Sequence, residues 1–141
     1  MTRIATDRGF APDDWTGPFA PLAEAARGAA ALDVPSDADP EALRPHLGAA
    51  IIRVAFPSFA DGRGFTIARR LRAMGYDGRL RARGLIADQY AMARRSGFDE
   101  VEVDDALAAR QPEAQWLARA DWRAHDYQSR LRGSAAPTRH L

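Results

Sequence analysis

One run of sequence, residues 49–74, limits the chain to folds in which strands and helices alternate. Ala49–Phe56 is apolar and rich in β-branched residues, which predicts a strand buried on both faces. A loop containing Asp61-Gly62-Arg63-Gly64 follows, and apolar residues then recur at helical spacing from Phe65 to Met74. A strand that leads directly into an amphipathic helix is one βα unit of an α/β protein.

The same alternation continues along the chain. Further short strands are predicted at Ala30–Val34, Arg79–Arg83 and Glu100–Val103. A helix is predicted after each strand, and the first begins at Asp39-Pro40-Glu41, where an N-cap aspartate precedes a proline at the first helical position. Connections this short favour right-handed crossovers. The sequence therefore predicts an α/β fold of four consecutive βα units that form a small parallel sheet or half-barrel.

The two ends of the chain differ from this central pattern. Residues 1–28 are punctuated by glycine and proline, which indicates a short strand or hairpin followed by a small helix near Leu22–Arg27. We expect them to form an N-terminal cap segment on an α/β domain of residues 29–132. Residues 133–141 are expected to be a disordered tail. A C-terminal amphipathic helix is predicted from Pro112, with one apolar stripe made of Trp116, Ala120, Ala124, Tyr127 and Leu131. The stripe is expected to pack on its own domain, and burial in a homodimer is the alternative.

The composition excludes several kinds of site. The chain has no cysteine, so it offers no thiol nucleophile, thiolate metal site or disulfide. All its basic residues other than histidine are arginine, which excludes a lysine Schiff base. No apolar run approaches the roughly 20 residues of a membrane helix, and the first residues lack the apolar core of a signal peptide, so we expect a cytoplasmic protein with no membrane partner.

Candidate functional residues gather at the predicted carboxyl ends of the strands, where α/β folds usually bind ligands. Arg63 offers a planar fork for a carboxylate, sulfate or phosphate near the positive end of a helix. Asp61 would orient Arg63 or act as a general base. An ordinary turn with an exposed Arg63 is the alternative reading. The predicted ligand-binding residues are Asp61, Gly62, Arg63, Gly64, Arg81, Asp88 and Gln89.

Other chemistries have weaker support, and no metal or cofactor is predicted. The carboxylates of Asp61, Asp88, Asp104 and Asp105 are the oxygen ligands that Mg²⁺ prefers, but no spacing rule supports the site. The three histidines lie in separate segments, so neither a zinc site nor a hydrolytic triad is indicated. Arg79, Arg81 and Arg83 would present a positive stripe, but aromatic residues do not alternate with them, which argues against nucleic acid as a partner.

Several short motifs follow one another along the chain: Phe56-Pro57, Phe59, Asp61-Gly62-Arg63-Gly64, Ala68-Arg69, Leu71-Arg72, Gly75-Tyr76, Gly78, Leu80-Arg81-Ala82, Gly84, Asp88-Gln89, Gly97-Phe98-Asp99 and Tyr127-Gln128. In this order they resemble the bacterial family called domain of unknown function 934. The resemblance runs from Leu32 to Gln128. Two positions depart from the family: members often have aspartate at Leu85 and cysteine at Ser96, so a thiol mechanism or an acid at these positions does not apply here.

Members of this family are commonly encoded beside sulfite reductase and often carry an oxidoreductase label. The resemblance implies an accessory protein of assimilatory sulfite or sulfate reduction, which we expect to bind an oxyanion or a partner reductase at the carboxyl edge of its sheet. The alternative is a small enzyme, acting by acid/base or oxidoreductase chemistry on an oxyanion-bearing substrate at the same edge. No residue pattern indicates a flavin or nicotinamide site, because Gly62-Arg63-Gly64 lacks the third glycine of that fingerprint.

Overall fold

The computed structural model describes residues 2–123, in which strands and helices alternate from β3 to β7. The strands are β1 Arg3–Thr6, β2 Gly9–Pro12, β3 Ala20–Pro21, β4 Ala31–Pro35, β5 Ile51–Ala55, β6 Arg79–Arg83 and β7 Glu100–Val103. The α-helices are α1 Arg63–Ala73, α2 Tyr90–Ser96, α3 Asp105–Arg110 and α4 Glu113–Leu117. Short 3₁₀-helices span Leu22–Glu24, Pro40–His46 and Ala87–Gln89. The predicted α/β class is confirmed.

The strands join one seven-stranded sheet in the order β2-β1-β7-β6-β5-β4-β3. Neighbours from β3 to β7 are parallel, whereas β1 pairs antiparallel with β7 and β2 antiparallel with β1. Strands β4 to β7 lie side by side in chain order, so their carboxyl ends meet at one edge of the sheet. We call this the carboxyl edge; it consists of residues 36–39, 56–62, 84–89 and 104, which follow the four strands.

One face of the sheet carries the hydrophobic core. Alternate residues of the central strands, such as Ile52, Val54 and Leu80, are fully buried against α1 and α2. The β-branched residues suit a strand position, and each buried aliphatic side chain contributes about 1.5–3 kcal/mol. Trp116 of α4 is also fully buried and packs on the ring of Tyr90, 6.3 Å between centroids. Trp116, the first residue of the predicted C-terminal stripe, therefore packs on its own domain, whereas α4 ends at Leu117, before Ala120.

The opposite face of the sheet is charged and partly covered by residues 13–19, which we call the strap. The strap crosses this face between β2 at one edge and β3 at the other. Asp13 accepts a hydrogen bond from Arg81 (3.2 Å), and the ring of Phe19 lies 3.9 Å from the guanidinium carbon of Arg53. Arg81 is fully buried between Glu100 and Glu102. Carboxylates thus alternate with the arginines, and the positive stripe expected from β6 alone does not form.

The first residues are built into the sheet. Residues 1–28, expected to cap the domain, supply β1, β2 and β3. At the edge strand β2, the carboxylate of Glu113 accepts a hydrogen bond from the backbone amide of Phe10 (2.8 Å), which occupies a donor that an exposed edge would leave open. Ala124, Tyr127, Leu131 and the predicted tail at 133–141 lie outside the described residues.

The helix predicted after β4 forms as a 3₁₀-helix. Asp39 caps it as expected, accepting a hydrogen bond from the amide of Glu41 (3.0 Å). Pro45 lies inside the segment and has no N–H to donate, which favours the tighter, shorter helix. Within residues 2–123, no helix is both long enough and apolar enough to cross a membrane.

Candidate functional site

The turn between β5 and α1 is organised around the carboxylate of Asp61. Its Oδ1 accepts the backbone N–H of Arg63 (3.0 Å), and its Oδ2 accepts Nη2 of the same arginine (2.7 Å). The hydroxyl of Ser36, which follows β4, donates to Oδ2 as well (3.0 Å). Asp61 therefore ties the loops after β4 and β5 together and fixes the guanidinium of Arg63 at the start of α1.

Two positions that pack against Phe56, next to this turn, require glycine. A Cβ at Gly64 would lie 2.4 Å from the ring of Phe56, whose centroid is 4.9 Å from that of Phe65. Gly84 has a φ of +100°, and a Cβ there would lie 2.2 Å from the carbonyl oxygen of Phe56. Any larger residue at either position would push Phe56 away. A Cβ at Gly62, by contrast, would make an ordinary van der Waals contact with the ring of Phe65 at 4.0 Å.

The loop after β6 supports the same turn from the other side. Nε2 of Gln89 donates to the carbonyl oxygen of Phe59 (2.6 Å), and Oε1 of Gln89 accepts the amide of Ile86 (3.3 Å). Asp88, the neighbour of Gln89, faces away and accepts a hydrogen bond from Arg119 (3.1 Å). The structure thus brings Gln89 together with the Asp61 turn and gives Asp88 a separate contact.

Arg81 lies apart from the other predicted site residues. It sits in the middle of β6 on the charged face, with Nε 2.7 Å from Oε2 of Glu100 and Nη1 3.1 Å from Oε1 of Glu102. With Asp13 on Nη2, each of its three nitrogens has a carboxylate partner, and its exposed fraction is 0%. Arg81 is therefore held within the sheet and does not reach the carboxyl edge.

The carboxylates weighed as magnesium ligands also have other partners. Asp104 caps α3 by accepting the amide of Leu107 (2.8 Å), and Asp105 accepts a hydrogen bond from Arg3 (2.7 Å). Asp61 and Asp88 are engaged by arginines. Among residues 2–123, no group of three or more histidine or acidic side chains is placed to hold a metal ion.

Ion pairing sets the electrostatics of the turn. The hydrogen bonds from the side chain and backbone of Arg63, with a smaller effect of Ser36, hold the pKa of Asp61 far below its usual range. The same pairing raises the pKa of Arg63. Because a carboxylate with a low pKa is a weak base, this arrangement suits Asp61 to positioning Arg63 and not to accepting a proton from a substrate.

The surface beside the turn combines apolar and charged groups. A shallow cleft of about 270 Å³ lies between the loop after β4 and the first turn of α1. The side chain of Arg63 is 61% exposed at its rim, and Phe59 is 59% exposed in the adjoining loop. Asp37 also lines the cleft, so that with Asp61 the two carboxylates outnumber Arg63. The cleft is lined by Ser36, Asp37, Ala38, Pro40, Arg63, Thr66 and Ile67.

Two residues of this edge were not among the predicted site residues. Ser36 immediately follows β4, so the same rule that selected Asp61 after β5 would have selected it. Phe59 had a different signal, because it is a large apolar residue in a loop of small and polar residues.

Comparison with known proteins decides the family. The family model described as "Bacterial protein of unknown function (DUF934)" matches residues 31–137, which is more than half of the chain. The chain belongs to this family. The resemblance read from the short motifs is therefore confirmed, and the DUF934 match spans β4 to β7 with the whole carboxyl edge. Comparisons with curated proteins and with solved structures found no match.

Proposed function

We propose that this DUF934 protein is a cytoplasmic accessory protein of assimilatory sulfite or sulfate reduction that docks on a partner reductase through its carboxyl edge. The pathway follows from the family resemblance, and the docking mode follows from the geometry of the edge. The observation that carries the proposal is an exposed phenylalanine, Phe59, in a loop that hydrogen bonds hold in place.

Hydrogen bonds hold the loop that carries Phe59, so this side chain is presented in a fixed position to a partner. Its carbonyl oxygen accepts a hydrogen bond from Gln89, and two residues further on Asp61 is fixed by Ser36 and Arg63. The ring of Phe59 is 59% exposed on a loop that hydrogen bonds hold in place. Burial of this apolar ring by a partner would therefore stabilise the complex. Aromatic and arginine side chains are enriched at protein interfaces, and Phe59 and Arg63 supply one of each.

A second candidate is oxyanion binding at Arg63. Nε and Nη2 of Arg63 both donate to Asp61, whereas Nη1 has no hydrogen-bond partner within residues 2–123. This free donor at the rim of the cleft supports binding of a sulfite, sulfate or phosphate group. Asp37 and Asp61 lie against it and disfavour an anion, so we rank this candidate below protein docking.

The enzyme alternative has no comparable support at this edge. The lowered pKa of Asp61 makes it a weak base. Asp88 is mostly exposed and pairs with Arg119 on the surface. Asp61 therefore lacks the raised basicity, and Asp88 the burial, that acid/base catalysis uses.

The docking proposal is tested by measuring the affinity of purified sulfite reductase for the wild-type chain and its variants. Phe59→Ala and Arg63→Ala should each weaken binding by about tenfold or more, since truncating an interface anchor costs over about 1.4 kcal/mol. Met92→Ala on α2 is the matched control, because Met92 is similarly exposed (47%) but lies outside the carboxyl edge. Unchanged thermal midpoints would show that the variants remain folded.

The two candidates give different results. Thermal unfolding of wild type and Arg63→Ala with sulfite, sulfate or phosphate tests the anion site, since a ligand at about 100 times its Kd adds about 2.7 kcal/mol. Reductase binding that is lost in Phe59→Ala, without any anion effect, supports docking. An anion effect confined to wild type supports the second candidate, and no binding of either kind overturns both.

A further inference from the structure

A second surface at the carboxyl ends of the strands, on the charged face of the sheet, forms an apolar groove. Its volume is about 280 Å³, near the lower end of the range for small-molecule pockets. Pro21 and Leu22 form one wall, and Pro35 and Ala55, at the ends of β4 and β5, form the other. This surface shares no residue with the cleft beside Arg63.

The polar side chain that lines the groove is already paired. Asp33 receives both donors of the Arg53 fork, Nε at 3.1 Å on Oδ1 and Nη2 at 3.0 Å on Oδ2. A bidentate pair of this kind fixes the position of the carboxylate. Arg53 also donates to Oε1 of Glu102 (3.1 Å), so Asp33 is held in a network of charged side chains.

Arg83 supplies a guanidinium that is engaged only by a long ion pair. It lies opposite Ala55 in the ladder between β5 and β6, and its Nη2 is 3.8 Å from Oδ2 of Asp33, too far for a hydrogen bond. Within residues 2–123 its guanidinium makes no hydrogen bond, and the side chain is 47% exposed. A guanidinium without hydrogen bonds thus lies next to Asp33, a lining residue of the groove, whereas Arg53 and Arg81 on the same face are hydrogen-bonded.

We propose that this groove binds a small carboxylic acid with a short apolar tail. The tail lies against Pro21, Leu22 and Ala55, and the carboxylate receives two hydrogen bonds from Arg83. A peptide would instead add a strand to the edge of the sheet, but β3 is only Ala20–Pro21 and Pro21 has no N–H to offer. The inference goes beyond the proposed function and uses neither Phe59 nor Arg63.

The test is a titration of the ¹⁵N-labelled full chain with sodium hexanoate, followed by amide chemical shifts. Saturable shifts are expected at Ala23, Val34 and Ala55, which line the groove. Arg83→Gln should raise the Kd for hexanoate by about tenfold or more, because it removes a charge-assisted pair. Arg95→Gln, an exposed arginine of α2, is the matched control and should leave the Kd unchanged.

Ligand and groove controls complete the design. Hexan-1-ol, which has the same tail without the charge, should bind at least about tenfold more weakly than hexanoate. Ala23→Leu narrows the groove at an exposed position and leaves Arg83 unchanged. It should therefore weaken the binding of hexanoate. The proposal is overturned if no saturable shifts occur at these amides, if hexan-1-ol binds as tightly, if Arg83→Gln has no effect, or if an acetylated peptide ending in leucine binds more tightly than hexanoate.

Discussion

Asp61 holds two loops and one guanidinium with a single carboxylate. Ser36 reaches it from the loop after β4, and Arg63 reaches it from the start of α1 with both backbone and side chain. The sequence indicates that Asp61 and Arg63 belong together, because they flank a glycine at a strand end. The sequence does not show that Asp61 accepts hydrogen bonds from two of the three guanidinium nitrogens of Arg63. Because of this pairing, Arg63 has fewer donors left for an anion.

This pairing gives the stability of the protein a defined pH dependence. The folded pKa of Asp61 lies below its unfolded value of about 3.9, so its contribution is present above about pH 4 and is lost as the pH falls toward the folded pKa. Asp61→Asn should therefore be less stable than wild type near pH 6, and the difference should shrink near pH 3. Urea unfolding at both pH values measures this difference in the free energy of unfolding. Asp88→Asn, at a more exposed carboxylate, is the control. A difference that does not change with pH would contradict this account.

Arg72 makes a comparable residue-scale contribution in the scaffold. Its guanidinium donates to the carbonyl oxygens of Tyr76 (3.0 Å), Gly78 (2.8 Å) and Gly97 (2.8 Å), and so joins the ends of α1 and α2 to the start of β6. Arg72→Met should lower the free energy of unfolding by about 2–3 kcal/mol, because these carbonyls lose a charged donor. Arg72→Lys should recover only part of that loss, since an ammonium lacks the planar fork. Equal stability of all three proteins in urea would count against the assignment.

At the scale of the element, β6 shows how one alternating pattern can hold three different environments. Arg79, Arg81 and Arg83 point to the same face, yet their exposed fractions are 29%, 0% and 47%. The difference comes from neighbours that are distant in sequence: Glu100 and Glu102 on β7, and the strap above Arg81. An alternating arginine strand predicts a polar face correctly, but not which arginine the fold buries.

Matched substitutions in β6 test this difference in burial. Arg81→Met should cost about 3–5 kcal/mol, because it breaks a buried ion-pair network and leaves Asp13 without its arginine. Arg83→Met, two residues away on the same face, should change stability by no more than about 1 kcal/mol, as expected for an exposed pair. Chemical unfolding of the two variants under the same conditions gives the comparison. Similar losses in the free energy of unfolding would mean that the buried network of Arg81 stabilises the protein no more than the surface pair of Arg83 does.

At the scale of the whole molecule, local pattern predicts the central strands and non-local pairing completes the sheet. The strands at Arg79–Arg83 and Glu100–Val103 have the predicted bounds, and Gln89 lies at the carboxyl edge because it follows the first of them. Asp61 lies there because it follows β5. A strand or hairpin in residues 1–28 has a local signal in its glycines and prolines, but its antiparallel pairing with β7 has none, because that pairing joins distant parts of the chain. The contact of Asp13 with Arg81 spans 68 positions, beyond the reach of any spacing rule.

The placement of the first residues leads to a test of domain organisation. A chain of residues 29–141 lacks β1, β2, β3 and the strap, so β7 loses its neighbour β1 and Arg81 loses its contact with Asp13. It also lacks Asp7, which accepts hydrogen bonds from Tyr90 (2.5 Å) and Arg94 (3.0 Å). We expect this chain not to unfold cooperatively, because breaking these partly buried ion pairs costs several kcal/mol against a typical stability of about 5–15 kcal/mol. Calorimetry of the full and shortened chains decides the matter: a cooperative transition in residues 29–141, only a few degrees lower, would mean that residues 1–28 act as a separable cap.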